Sequence, residues 1–207
     1  MTAAIELNNV SKAFGEKQIM KHVTLCLEAG KCYGFQGENG CGKSVLFKCI
    51  CGLVTCDEGE IRVLGKRVTT RGSHAGQIGA LIEAPAYLPR FSGIKNLMML
   101  SSIQGRITRQ EVEKAMEKVL LDPKERKRAG SYSLGMRQKL AIAAAIMEHP
   151  PILILDEPFN ALDAESISVV EALLQEEKQK GTTILLTDHR KTMLDKLCDE
   201  VFHFPLI

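Results

Sequence analysis

Eight residues, Gly37-Glu38-Asn39-Gly40-Cys41-Gly42-Lys43-Ser44, constrain this chain more than any other stretch. Their spacing is that of a loop that wraps the phosphates of a nucleotide, and such a loop works only between a buried strand and a helix. Lys31 to Gln36 reads as the strand, and Ser44 to Cys51 as a helix ending near Gly52. Glycines let successive backbone N–H groups turn toward an anion, and the helix N-terminus adds roughly half a positive charge. Gly37, Asn39, Gly40, Cys41, Gly42, Lys43, Ser44 and Val45 are therefore the candidate nucleotide contacts. Lys43 is expected on the β- and γ-phosphates, and the Ser44 hydroxyl on Mg²⁺. An unliganded glycine-rich turn is the competing reading, and the flanking elements speak against it. Cys41 has two readings: a thiol activated by the helix N-terminus, or, more simply, a small residue filling a small position.

A chain of 207 residues can bury a sizeable core, and its 45% hydrophobic and 25% charged residues suit a globular protein. The net charge of +2 gives no reason to expect nucleic acid as a partner. Seven cysteines show no zinc-like spacing, because no second pair or histidine pair accompanies Cys49 and Cys51. No stretch reads as a signal peptide, so a reducing cytosol is the expected setting. Nor does any run of about 18 apolar residues occur, so a membrane role has to come through a partner.

Along the chain, Ile5 to Val10 and Val23 to Leu27 alternate apolar and polar residues around a turn containing Gly15, which predicts a paired antiparallel edge. Phe14 stands in that connection, where its ring either stacks on a nucleotide base or packs into the local core. Gly59 to Gly65 reads as a short strand closed by a glycine turn, and Ile78 to Ile82 as another, ending at Glu83 and Pro85. From Ala86 to about Met147 the period becomes helical. Ser92 caps a helix through Met99, Thr108 with Glu111 forms a capping box, and Ser133 caps a third helix from Leu134 to Met147. The basic run Lys124 to Arg128 reads as a solvated connection. Strand character returns with the apolar Ile152 to Leu155, of the kind found in parallel strands covered on both faces. A helix from Ala164 to Lys180 and a strand from Thr182 to Thr187 follow, then a short helix and a last strand, Glu200 to Phe204.

Two carboxylates, Asp156 and Glu157, emerge where the Ile152 strand ends, the place where open α/β sheets bind ligands. With the phosphate loop they make a kit for Mg²⁺-dependent hydrolysis of a nucleoside triphosphate: Asp156 to hold the metal, Glu157 to polarise water. His189, at the end of the next strand, is placed to hydrogen-bond a γ-phosphate.

From about Ile5 to Phe204 the chain resembles the ATP-binding subunits of ABC transporters. Tyr132-Ser133-Leu134-Gly135-Met136, followed by Arg137-Gln138, stands at the place of the family signature Leu-Ser-Gly-Gly-Gln. Asn160-Ala161-Leu162-Asp163 looks like its D-loop, His189 like its switch histidine, and Phe14 like the aromatic that stacks on adenine. The resemblance implies an α/β P-loop NTPase of ABC type, with a mixed core sheet, an antiparallel β subdomain and an inserted α-helical subdomain. On that pattern 1–207 is one domain, with 1–85 and 148–207 as a RecA-like core plus β subdomain and 86–147 as the helical subdomain. It also implies a head-to-tail dimer in which two ATP molecules lie between one phosphate loop and the other chain's signature helix, so that Ser133, Gly135 and Asp163 become nucleotide contacts. A separate membrane permease completes the machine, docking near Ala86 to Phe91 with Tyr87, Leu88 and Phe91 as candidate contacts, and holds the cassette at the inner face of the membrane.

The departures point further. Glu83 replaces the family's usual glutamine in Leu81-Ile82-Glu83-Ala84-Pro85, and with the altered signature it looks like the subgroup serving bacitracin-type and lantibiotic export or immunity. A carboxylate there is a candidate for catalysis and for the metal, and it must be offset by Mg²⁺ or carry a raised pKa. Leu134 disfavours a positive φ at the first signature glycine, while Gly135 preserves close approach. Val45 stands where the family commonly has a second hydroxyl. The sequence ends soon after its last apolar strand, and the C-terminal regulatory extension of some relatives is expected to be absent. ABC-type ATPases that act on ribosomes or DNA are the alternative; they usually carry paired cassettes or long coiled coils, which this sequence lacks.

Overall fold

A computed structural model describes residues 2–69, 77–83 and 87–205. Among these, no helix is long and apolar enough to cross a membrane. Pro85, where a strand is expected to end, and Ala86, where the helical region and the permease contact are expected to begin, lie outside the described residues, as does Ala84. Two long strands, β1 (Ala3–Phe14) and β2 (Lys17–Glu28), extend the alternating segments in both directions. They meet at a Gly15 turn, with φ +58°, which pairs Phe14 with Lys17. β1 is not an edge, however: β4 (Glu58–Val63) pairs with its other side and β5 (Lys66–Arg67) completes an antiparallel sheet in the order β2-β1-β4-β5.

The second sheet contains β3 (Cys32–Gln36), β6 (Ile78–Leu81), β7 (Ile152–Asp156), β8 (Thr183–Thr187) and β9 (Glu200–His203). Its order is β6-β7-β8-β3-β9 and every pairing is parallel. Parallel and antiparallel pairings are thus divided between two sheets. Each residue of β7 and β8 is buried, yet the period of two survives in which core a side chain enters. Leu153, Leu155, Ile184 and Leu186 join the helices on one face. Ile152, Ile154 and Leu185, with Tyr33 and Phe35, join α1 (Lys43–Ile50) and the antiparallel sheet on the other. That is the double cover a parallel sheet needs.

The remaining helices are α2 (Gly93–Ser101), α3 (Arg109–Lys118), α4 (Leu134–Ile146), α5 (Ala164–Gln179) and α6 (Lys191–Leu197). α3 begins with the expected capping box: Glu111 N–H donates to Thr108 Oγ1 at 3.4 Å, and Thr108 N–H to Glu111 Oε2 at 2.7 Å. α2 begins differently. Ser92 occupies the cap position without a side-chain cap bond, and the Gly93 N–H donates instead to the Tyr132 hydroxyl at 3.1 Å. A Cβ at position 93 would stand 2.7 Å from that hydroxyl, so only glycine lets the buried tyrosine serve as the cap. Because β6, β7, β8 and β3 are parallel neighbours, Glu83, Asp156, His189 and the phosphate loop leave the sheet at one edge.

Candidate nucleotide-binding site

The phosphate loop joins β3 to α1 with Gly40 at φ +74° and Gly42 at φ +118°. Gly42 is the N-cap of α1, and a Cβ there would lie 2.5 Å from Ile19 Cγ2, so conformation and space both demand glycine. Lys43, 7% exposed, curls back and donates to the Gly37 and Glu38 carbonyls at 2.7 and 2.9 Å. Those carbonyls keep a buried ammonium satisfied, and a phosphate would replace them with charged acceptors, which make bonds roughly twice as strong. Cys41 Sγ lies 3.7 Å from Lys43 Nζ and where a Cβ on Gly37 would fall within 2.8 Å, so it fills the inside of the loop. Val45 packs half-buried against the α1 core, while Asn39 is exposed.

Ser44 Oγ donates to Asp156 Oδ2 at 2.5 Å. Thr187 Oγ1 donates to Asp156 Oδ1 at 2.7 Å and accepts from the Glu157 N–H at 2.8 Å, so one hydroxyl fixes both acids. Glu157 adopts φ +52°, a strained conformation for a non-glycine residue. Gln138 on α4 holds it there by donating to the Glu157 and Pro158 carbonyls, each at 3.0 Å. The Glu157 carboxylate is pinned on both oxygens: His189 Nε2 lies 2.5 Å from Oε1, and Asn160 Nδ2 donates to Oε2 at 2.5 Å. Asp188, which precedes His189, forms a bidentate pair with Arg190.

Ser44, Glu83, Asp156 and Glu157 line one cleft of about 390 Å³, together with Gln138, Asn160, Ala161 and Leu134. Lys48, one turn beyond Ser44 on α1, lies 2.5 Å from Glu83 Oε1 and supplies its negative charge with a counter-charge from the protein itself. Phe14 is 51% exposed with Lys12 Nζ 5.0 Å from its ring centre, which overturns the core-packing alternative. Ser133 and Asp163 lie outside the cleft lining and act as caps: Ser133 Oγ accepts from Met136 N–H at 3.1 Å, and Asp163 Oδ1 from Ser166 N–H at 2.8 Å. At Gly135 a Cβ would come 2.7 Å from the Ala161 carbonyl, so this glycine lets α4 press against the segment after Glu157.

Sequence reasoning missed four residues. Lys48 carried no local signal. Gln138 follows directly on the signature stretch, which is the signal available in the sequence; at 6% exposure its amide has to find partners. Asn160 was read as part of a motif, not as a partner of Glu157. Thr187 is a hydroxyl ending a fully buried strand, which asks for a partner.

A phosphate loop, a serine–aspartate pair and a held glutamate at one edge of a parallel sheet define a nucleoside-triphosphate site of the phosphate-loop class. The sequence model of the family described as "ABC transporter" matches residues 20–160. A bacitracin transport ATP-binding protein of Enterococcus faecalis is 36% identical over 97% of this chain, which spans 66% of that protein's length. The structure of an ATP-binding subunit of an ABC transporter is similar with a TM-score of 0.87 at 27% identity, covering 97% of this chain and 85% of that one. A dimeric ATP-binding cassette solved with ADP and Pi gives 0.87 at 21% identity, covering 96% and 93%, a likeness of fold. The chain belongs to the ABC transporter family, as its ATP-binding domain. ATP is the nucleotide its site takes.

Proposed function

We propose that this chain hydrolyses ATP to drive a separate membrane permease, and that the system exports, or gives immunity to, peptide antibiotics of the bacitracin or lantibiotic type. The observation that carries the first half is the convergence of the Ser44–Asp156 pair and the doubly held Glu157 on one cleft, with Lys43 held in the phosphate loop next to Ser44. The second half rests on the bacitracin-transport relative and on Glu83 standing in place of glutamine. We also read 86–147 as a helical subdomain inserted into a core formed by 1–85 and 148–207.

The Ser44 hydroxyl and the Asp156 carboxylate meet at one point, and this set of hard oxygen donors, with Glu83 lining the same cleft, fits Mg²⁺. Bound there, the ion would neutralise charge on the triphosphate. Lys43 moves from its carbonyls to the phosphates. Glu157 orients a water for in-line attack and takes its proton. His189 and Asn160 fix the carboxylate for that task, and His189 is free to reach a γ-phosphate once Glu157 engages the water. Phe14 offers an exposed ring to the base.

Ser133 is exposed at the N-terminus of α4, where unpaired N–H groups favour an anion arriving from outside. This supports a head-to-tail pair of identical chains that share two ATP molecules, with Ser133, Gly135 and Asp163 of each completing the other's site. The permease's cytoplasmic segment is assigned to an apolar groove of about 490 Å³ lined by Tyr87, Leu88, Leu97, Met99, Leu100 and Ile103. Phe91 lies outside that lining, covered by Lys95 at 4.4 Å. The cassette then sits at the cytoplasmic face of the membrane through its permease. Glu157→Gln is the test: bound ATP and a persistent dimer with turnover abolished support the reading, and wild-type turnover removes Glu157 from the base role.

A further inference from the structure

Cys32 opens β3 and Cys198 follows the last residue of α6, yet their sulfurs lie 3.5 Å apart, with the Cys32 S–H donating. The backbone clamps them face to face. Cys32 N–H donates to Asp199 Oδ2 at 2.8 Å, Asp199 N–H donates to the Cys32 carbonyl at 2.7 Å, and Lys178 holds the other Asp199 oxygen at 2.6 Å. Gly34 makes the room, since a Cβ there would meet Cys198 Sγ at 3.1 Å. Cys32 is 1% exposed and Cys198 is only partly buried, so a reagent in solvent meets Cys198 first.

We propose that Cys32 and Cys198 form a reversible modification site, a dithiol that peroxides convert into an intrachain disulfide. The proposal does not depend on the transport reading above. Cys198 sulfur attacks one peroxide oxygen, the O–O bond breaks, and the products are a sulfenic acid on Cys198 and one water. Cys32 sulfur then attacks Cys198 sulfur, the S–O bond breaks, and the Cys32 proton leaves with that oxygen as a second water. Two thiols are oxidised by two electrons and one peroxide is reduced. The hydrogen bond to Cys198, with burial, pushes the Cys32 thiol well above the usual range, so Cys32 keeps its proton until this second step. Bonding requires the sulfurs to close to about 2.05 Å, a movement of side chains already opposed. The resulting link spans the chain from residue 32 to residue 198 and acts mainly by constraining the unfolded state.

The full chain is treated with hydrogen peroxide, alkylated, digested and mapped by mass spectrometry, with a dithiothreitol-reduced sample alongside. A linked peptide pair containing Cys32 and Cys198, absent after reduction, is expected, as is a thermal midpoint raised by about 5 °C or more. Cys32→Ser should trap a dimedone-reactive sulfenic acid at Cys198, and Cys198→Ser should abolish the link. Independent alkylation of both thiols after peroxide treatment of the folded wild type would overturn the proposal. So would pairing of either with one of the other five cysteines. The wild-type map decides the matter even if a variant fails to fold.

Discussion

Lys48 Nζ lies 2.5 Å from Glu83 Oε1, joining the helix that begins at the phosphate loop to the second residue beyond β6. This pair gives the carboxylate a counter-charge of its own within the cleft. Because the side chains are 28% and 58% exposed, breaking the pair should cost at most about 1 kcal/mol of stability. Glu83→Gln should therefore keep its fold and its ATP affinity while changing the rate of hydrolysis or its coupling to transport. Fluorescent-nucleotide titration beside phosphate release measures both; unchanged hydrolysis and unchanged antibiotic resistance would make Glu83 a bystander.

Glu157→Gln should lower turnover at least about 100-fold, the lower end of what a positioned base contributes. His189→Ala, which frees one oxygen of the same carboxylate, should lower turnover less while leaving nucleotide bound. Steady-state phosphate release on both variants orders the two roles, and a larger loss in the histidine variant would reverse them.

Thr187→Val keeps the shape of the side chain and removes its hydroxyl. Asp156 Oδ1 then loses a donor and the Glu157 N–H an acceptor. The expected cost is about 1–3 kcal/mol, seen as a lower thermal midpoint, with a fall in turnover beyond what the stability loss explains. Thr187→Ser should recover most of both.

Gly135→Ala puts a methyl group 2.7 Å from the Ala161 carbonyl. Either α4 or the segment after Glu157 must move, and overpacking of this kind costs about 1–3 kcal/mol. Chemical denaturation reads the loss, and a wild-type midpoint would show that the contact yields freely.

The two bonds from Thr108, backbone N–H and hydroxyl, hold the Glu111 carboxyl below the usual carboxylate range. Its contribution to stability is present above about pH 4.3, the ordinary glutamate value, and is lost as pH falls through the lowered value of the folded state. The thermal midpoint of wild type should exceed that of Glu111→Gln at neutral pH, and the gap should close on acidification below about pH 4. A gap that widens in acid would contradict this sign.

Local features were readable from the sequence and distant ones were not. The phosphate loop, the Thr108–Glu111 box and the apolar β7 ending in Asp156, with Glu157 next, are each written within a few residues, where backbone geometry alone relates the parts. The Lys48–Glu83 pair, the Thr187 bridge and the hold of Gln138 on Glu157 link residues 35, 31 and 19 apart. Strand order and helix placement decide those contacts, and no local pattern encodes either. Ser92 shows a local rule overridden: a good cap residue stands in place, but a buried tyrosine from a distant turn does its work. Phe14 ends β1 and its ring stands half exposed, which its residue type alone does not reveal.

Helix α4 touches two regions that a reader of the chain would keep separate. Leu140 and Ala144 form part of the apolar groove wall, while Gln138, two residues before Leu140, grips the main chain of Glu157 and Gly135 abuts Ala161. A helix held by its own hydrogen bonds tilts as a stiff rod rather than bending freely. A displacement of the groove wall would therefore carry Gln138 with it and disturb the main chain that holds the acid, and a displacement of the acid would press back on the same rod.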